Sequence, residues 1–253
     1  MREVVVAAAR RTAVGKALKG TLRHTRPDDL AAAVVKELVA SHPDLDPARV
    51  GDVIMGCAMP EAEQGMNIAR MVGFHSNLPL EVPAATINRF CSSGLESIGI
   101  AAARIAAGHQ DVVIAGGVET MSMIPMGGNK IVGHDVLASE TPEVYTAMGN
   151  TAEGVLERYA EEYNLTREEL DKFSYESNMK ALAAIKEGKF KEQIVPLPYK
   201  AWVDGKPVEK VHEIDEGPRA DTTLEALAKL RPAFKPKGGA VTAGNSSQMN
   251  DAA

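Results

Sequence analysis

The 253-residue chain carries a net charge of −6, and 45% of its residues are hydrophobic. This composition is enough for a substantial core and disfavours disorder. The acidic balance also argues against a nucleic-acid partner, because binding to a phosphate backbone depends on massed positive charge. The longest apolar runs are far shorter than the roughly 20 residues that span a bilayer, so we expect a soluble protein without a membrane partner.

The two cysteines, Cys57 and Cys91, lie far apart, and Met1 leads within three residues into an apolar run without a signal peptide. This pattern is typical of a reducing cytoplasm, in which no disulfide is expected. No histidine or cysteine pair has the spacing of metal ligands, so no metal site is predicted. The sequence also lacks the glycine patterns of nucleotide-phosphate loops.

Four short apolar runs predict strands buried on both faces, because the runs are continuous rather than alternating. They comprise residues 4–8, 53–57, 84–90 and 112–115. Helical patterns separate them, one beginning near Pro27 and another spanning residues 92–107. Alternation of strands and helices predicts an α/β fold with parallel pairing and right-handed crossovers.

The sequence changes character at residues 121–150, where Met, Gly, Pro and Asn are frequent and no buried strand is indicated. Two helical patterns follow, at about residues 151–163 and 167–187, the second introduced by Thr166 and Glu169 at capping-box spacing. The charged residues of these helices, Arg167 included, are interpreted as a solvated face.

The end of the sequence favours one more strand, at residues 238–247, followed by a turn of small residues. The sequence then ends in NDAA, without a closing helix or a charged tail. We interpret the chain as a fragment of a longer protein.

The two cysteines differ in the sequence that follows them, and this difference bears on their chemistry. A cysteine is more often a small buried residue than a nucleophile, and Cys57 fits that interpretation because Pro60 follows too closely for a helix to begin there. Cys91 instead precedes a helical pattern directly, so its sulfur would face the free N–H groups and positive dipole end of that helix. Residues 92–94 are small enough to admit a substrate, and the Cys91 N–H would help to hold an oxyanion. The residues favour Cys91 as a nucleophile with a stabilised thiolate.

Residues 88–122, NRFCSSGLESIGIAAARIAAGHQDVVIAGGVETMS, resemble the nucleophile segment of the thiolases. Further matches follow in family order: RTAVGK at 11–16, MGCAMPEAEQGMNIAR at 55–70, MGNTAEGV at 148–155, LAKLRPAF at 227–234 and VTAGNSSQMNDAA at 241–253. The combination of GCAMPEAEQG with INRFCSSGL is most similar to the bacterial 3-ketoacyl-CoA type of fatty-acid β-oxidation.

The resemblance implies a layered α/β/α/β/α fold of two similar domains, with a mostly helical loop domain inserted in the first. It assigns residues 1–118 to the first part of the N-terminal α/β domain and residues 119–237 to the inserted domain that binds coenzyme A. Residues 238–253 would form the return strand and a truncated end. The second thiolase domain is expected to be absent from this chain.

The implied chemistry is acyl transfer through a Cys91 acyl-enzyme: thiolysis of 3-ketoacyl-CoA, or Claisen condensation in reverse. Coenzyme A and acyl-CoA are then substrates, with no covalently bound cofactor, and a homo-oligomer, dimer or tetramer, is expected. In the family, a GHP histidine, a water-holding asparagine and a CxG cysteine complete the site, and none of these motifs occurs in this sequence. We therefore expect a chain that is inactive alone. The alternative is a non-catalytic thiolase-like subunit that binds acyl-CoA or acts as a scaffold.

For coenzyme A, the resemblance implies Arg219 near the adenine and phosphate end and Ser247 beside the pantetheine arm. Ala243, Leu227 and Met148 would line the same tunnel. Chemistry alone leaves the alternatives open: a surface arginine, a turn serine and ordinary packing residues.

Overall fold

The computed structural model describes residues 2–204 and 206–253. They divide into two compact units. The first comprises the chain to Asn129 together with Phe190–Gly217 and Met249–Ala253, and the second comprises Lys130–Lys189 and Pro218–Gln248. These boundaries differ from the predicted limits at 118 and 237, and the assignment of residues 119–237 as an inserted domain stays a prediction.

The first unit contains three α-helices, two short 3-10 helices at Pro47–Arg49 and Ala62–Gln64, and ten strands among the described residues. The α-helices are α1 (Pro27–Ala40), α2 (Ile68–His75) and α3 (Ser93–Ala106). The strands are β1 (Arg11–Thr12), β2 (Gly15–Lys16), β3 (Val50–Gly56), β4 (Ala84–Ile87), β5 (Val112–Gly117), β6 (Glu119–Thr120), β7 (Ile194–Val195), β8 (Leu197–Val203), β9 (Lys206–His212) and β10 (Asn250–Ala252).

The central sheet has the order β4-β3-β5, and both pairings are parallel. In its register, Val53 lies opposite Ala84 on one side and Ile114 on the other. The predicted strands at 53–57, 84–90 and 112–115 and their parallel pairing are confirmed, although the second of them ends earlier, at Ile87.

The main core of this unit lies between the sheet and helices α1 and α2. Alternate residues Val53 and Met55 of β3, and Cys57 directly after it, are buried there together with Val35 of α1 and Val72 of α2. Because side chains alternate along a strand, Ile54 and Gly56 face the opposite side of the sheet. Helix α3 packs on that side against β3 and β5.

Two of the predicted strands are wrong. Residues 4–8, all of them described, form no strand, and Val5 and Val6 are 73% and 79% exposed. Residues 238–247 form no strand beyond a single bridge between Thr242 and Pro232, because Thr242 and Asn245 bond to each other's backbone and turn the chain away from a ladder. The strand in this region is β10, which pairs antiparallel with β2 and β6.

The second unit is mostly helical, with α4 (Asp135–Glu140), α5 (Met148–Tyr163), α6 (Arg167–Lys186) and α7 (Leu224–Ala228). Both long predicted helices are confirmed, and the Thr166 hydroxyl accepts the Glu169 N–H at the start of α6. Across residues 2–204 and 206–253, no helix combines the length and apolar character needed to cross a membrane.

Candidate functional site

Cys91 lies between the end of β4 and the start of α3, at the carboxyl end of the parallel sheet, and it is exposed. The predicted strand-to-helix corner is therefore present. The first N–H groups of an α-helix have no intrahelical acceptor, and the positive end of the helix dipole favours a thiolate beside them. This position suits a nucleophile better than a core residue.

The turn before Cys91 holds an unusual backbone conformation. Phe90 has φ +48°, which is uncommon for a bulky residue and costs free energy unless its surroundings impose it. Its N–H donates to Asn88 Oδ1 at 2.7 Å, and its carbonyl accepts the Ser93 N–H at 3.0 Å and the Ser93 hydroxyl at 2.6 Å. The Ser92 hydroxyl adds a bond to the Arg89 carbonyl at 2.9 Å. These bonds fix the approach of the chain to the thiol.

The first turn of α3 rests directly on the end of β3. A Cβ at Gly56 would lie 2.4 Å from the Ser93 carbonyl carbon and 2.6 Å from the Gly94 nitrogen. The buried Ser97 hydroxyl also donates to the Gly116 carbonyl of β5 at 2.8 Å. Small residues at this contact thus set the height of Cys91 above the sheet.

Cys57 has the opposite environment. It is 1% exposed, and its Sγ accepts a hydrogen bond from Gln64 Nε2 at 3.3 Å. Burial, and secondarily the nearby charge of Glu119, raises the pKa of the Cys57 thiol to about 12. Cys57 keeps its interpretation as a core residue.

The contrast between the two thiols gives a first prediction. Brief treatment with iodoacetamide at pH 7 is expected to modify Cys91 at least about 100 times faster than Cys57, because a buried thiol with a raised pKa holds almost no thiolate. Peptide mapping by mass spectrometry measures both rates. Equal labelling, or faster labelling of Cys57, would contradict the assignment of Cys91 as the nucleophile.

The second unit contains a cavity of about 570 Å³, within the usual size of ligand pockets. Helix α6 forms one wall, and the segments around Arg219, α7 and residues 243–248 form the others. Four of the residues predicted for coenzyme A line it together: Arg219, Leu227, Ala243 and Ser247. The fifth, Met148, lies at the start of α5, is 71% exposed and is not among the residues described as lining the cavity.

Arg219 is the cationic side chain of this cavity. Its guanidinium donates to both carboxylate oxygens of Asp221, at 3.1 and 2.8 Å, and its backbone N–H donates to Asn178 Oδ1 at 2.9 Å. The hydrogen bonds that Arg219 donates to Asp221, and then the charge of Asp221, raise the pKa of Arg219. The side chain is 61% exposed, so the guanidinium is accessible to a phosphate.

The sequence did not predict the hydrogen-bonded cluster of Asp171, Arg167 and Asn245, called the clamp below, of which Asn245 lines the cavity. Asp171, 4% exposed, accepts Arg167 Nε at 2.8 Å and Asn245 Nδ2 at 3.0 Å, while Arg167 also donates to the Leu227 carbonyl at 2.7 Å. The clamp fixes α7 and the 243–247 turn against α6. The interpretation of Arg167 as part of a solvated face is wrong; its i, i+4 spacing to Asp171 was the available signal.

Together, the fold and the sites define an α/β protein with a cysteine exposed at the carboxyl end of a parallel sheet and a ligand-sized cavity in a mostly helical unit. Residues 4–253 match the family model described as the thiolase N-terminal domain, and the chain belongs to the thiolase family. The expected fold class, a layered α/β half of the thiolase fold, is confirmed.

Individual relatives agree with this assignment. The chain is 48% identical to the 3-ketoacyl-CoA thiolase of Bacillus subtilis (strain 168), over all of this chain and 64% of the relative. It is 41% identical to the acetyl-CoA acetyltransferase of Pseudomonas aeruginosa, over all of this chain and 65% of the relative. The crystal structure of the Bacillus anthracis acetyl-CoA acetyltransferase superposes with a TM-score of 0.82 at 38% identity, covering 98% of this chain and 63% of that one. The chain thus spans just under two thirds of the length of these relatives.

Proposed function

We propose that this chain supplies the nucleophile and a coenzyme A site of an acyl-CoA acyltransferase that cleaves 3-ketoacyl-CoA. The observation that carries the proposal is the exposed Cys91 thiol at the start of α3, inside the segment that matches the family. The names of the relatives, 3-ketoacyl-CoA thiolase and acetyl-CoA acetyltransferase, support the substrate class.

In the proposed thiolysis, the Cys91 thiolate attacks the 3-keto carbon, and a C–S bond forms. The bond between C2 and C3 then breaks, its electron pair passes to C2, and protonation at C2 releases acetyl-CoA. The shortened acyl group stays on Sγ as a thioester until the thiolate of incoming coenzyme A attacks it and frees Cys91. Condensation is the same sequence in reverse. Within this scheme, the chain provides the nucleophile, exposed at the start of α3.

We propose that the cavity of the second unit binds coenzyme A, with Arg219 at a phosphate and Ser247, Ala243 and Leu227 along the pantetheine arm. Arginine suits this role because its planar fork matches phosphate oxygens and stays charged. The contact of Met148 with coenzyme A stays a prediction, and Met148 does not line this cavity.

Titration of the purified chain with coenzyme A tests this assignment. Arg219→Ala is expected to weaken binding about tenfold, since a charge-assisted hydrogen bond contributes roughly 1.5 kcal/mol. Arg26→Ala is the matched control, because Arg26 makes the same two-bond pair with the aspartate two residues later, Asp28. Isothermal titration calorimetry measures both variants. Equal losses in the two variants, or none in Arg219→Ala, would contradict the proposed phosphate contact.

A non-catalytic acyl-CoA-binding or scaffold subunit is the second candidate. It is favoured by one observation: none of the six histidines of this sequence lies in a GHP motif. Under this alternative, coenzyme A binds to the cavity with unchanged affinity after Cys91→Ala, and no acyl group is ever found on Cys91. Mass spectrometry of the intact chain after prolonged incubation with 3-ketoacyl-CoA distinguishes the two candidates, because it detects a single slow acyl transfer to Cys91 even where turnover is too slow to measure.

We further propose a cytoplasmic homo-oligomer. Phe90, Leu95 and Ile98 around the start of α3 are 64%, 74% and 48% exposed, and clustered apolar side chains of this kind favour an interface. The two free cysteines are compatible with a reducing compartment.

A further inference from the structure

A chain of hydrogen bonds leads away from the turn that precedes Cys91. The Asn88 side chain accepts the Phe90 N–H through Oδ1 and donates through Nδ2 to the Ala58 carbonyl at 2.9 Å. Asn88 therefore connects the nucleophile turn, which follows β4, to the loop that follows β3. These are adjacent strands of the central sheet.

Ala58 is itself held from the other side. Its N–H donates to Glu119 Oε2 at 2.7 Å, and Glu119 Oε1 accepts Gln64 Nε2 at 2.5 Å. The Gln64 side chain is completely buried, donates also to the Met59 carbonyl at 2.8 Å, and accepts the Thr120 N–H at 2.6 Å. A buried amide with all these bonds satisfied permits little movement of its partners, because each broken bond leaves a desolvated polar group.

The network reaches the backbone at Phe90, a residue with a positive φ angle. Phe90 adopts φ +48° directly before Cys91, while its side chain is 64% exposed. A conformation of this kind persists only where surrounding bonds impose it. The Phe90 N–H is restrained by the bond that it donates to Asn88 Oδ1. Asn88 is in turn restrained by the bond that its Nδ2 donates to the Ala58 carbonyl.

We propose that Asn88 is a positioning residue for Cys91, and that the hydrogen-bonded pair of buried Gln64 and half-buried Glu119 holds Asn88 in place through Ala58. The network keeps the thiol at the N-terminal end of α3. Loss of any member lets the turn relax and moves the sulfur away from that terminus. This inference rests on the proposed role of Cys91 as the nucleophile.

The test is the pH–rate profile of Cys91 alkylation by iodoacetamide in the full chain, measured by peptide mapping beside the thermal unfolding midpoint. Asn88→Ala and Glu119→Gln are each expected to slow alkylation at pH 7 about threefold to tenfold and to change the pH–rate profile, because the relaxed turn no longer holds the thiol in one position. Glu119→Gln is nearly isosteric, but the new amide has one oxygen instead of two. One oxygen cannot replace both Oε2, which accepts the Ala58 N–H, and Oε1, which accepts Gln64 Nε2. In the double variant, the rate is expected to fall no further than in the slower single variant, because both changes break one path.

Asn67→Ala is the matched control. Asn67 also donates from Nδ2 to a backbone carbonyl of this unit, that of Ala84 at 3.0 Å, but it lies outside the network. We expect it to lower the unfolding midpoint without moving the Cys91 profile. Asn88→Ala removes an exposed side chain, so this variant is expected to fold. If Glu119→Gln fails to fold, Asn88→Ala alone tests the positioning role.

Two results would overturn the positioning role: an unchanged Cys91 profile in Asn88→Ala despite a lower unfolding midpoint, or rate losses that multiply in the double variant. Equal labelling of Cys57 and Cys91 in the unmodified chain is a different failure. It would overturn the proposed role of Cys91, and this inference with it.

Discussion

The purified 253-residue chain is expected to show no measurable thiolysis of 3-ketoacyl-CoA, although Cys91 is exposed and alkylates readily. General acid and general base groups each contribute on the order of 10²-fold or more, and the GHP and CxG motifs that the thiolase resemblance assigns to these roles do not occur in this sequence. The described histidine contacts lead elsewhere: His75 bonds to Asp29, and His212 bonds to the Ala13 carbonyl. Coenzyme-A-dependent loss of 3-ketoacyl-CoA measures the rate.

Cys91→Ser serves as the control for this assay, since it removes the thiol and changes little else. Both chains are expected to match the rate without protein. Robust turnover by the unmodified chain that disappears in Cys91→Ser would contradict the prediction. It would show that a base within these residues serves the nucleophile, and the histidines would then be the first candidates for substitution.

The sequence predicted the central sheet because its signal is local. Continuous apolar runs at β3 and β5 specify burial on both faces, and the helical patterns between them require parallel crossovers. The run at residues 4–8 carries the same signal, yet Val5 and Val6 are exposed in the structure. An apolar pattern reports that a segment favours burial, but the pairing of a strand depends on neighbours that its own residues do not encode.

In the sites too, features built from residues adjacent in sequence were predictable, and features that join distant residues were not. The corner at Cys91 was predictable, because a strand pattern ending at a cysteine before a helix is contiguous in sequence. The network of Gln64 and Glu119 was not, because it joins residues 55 positions apart through side-chain bonds. The clamp of Asp171 on Asn245 likewise spans 74 positions. The interpretation of Arg167 as part of a solvated face failed for the same reason, because this side chain also donates to the carbonyl of Leu227, 60 positions away.

Gly56→Ala is expected to be among the most destabilising single substitutions in the first unit. Its new Cβ would lie 2.4 to 2.6 Å from backbone atoms of Ser93 and Gly94, distances that only a shift of α3 can relieve. Overpacking against backbone costs about 3 kcal/mol, a large part of a typical stability of roughly 5–15 kcal/mol. Because α3 carries Cys91 at its start, the shift is also expected to change the Cys91 alkylation rate. Urea unfolding and peptide mapping measure the two effects.

Gly99→Ala is the matched control for this substitution, because Gly99 lies in α3 itself and a Cβ there meets no described atom within 4 Å. Alanine favours a helix interior over glycine by about 0.5–1 kcal/mol, so this variant is expected to be stabilised, with an unchanged Cys91 rate. The opposite signs separate steric contact from helix propensity. If Gly56→Ala unfolds at the same urea concentration as the unmodified chain, the close approach of α3 to β3 does not hold the nucleophile, and the height of Cys91 above the sheet must be set by its turn alone.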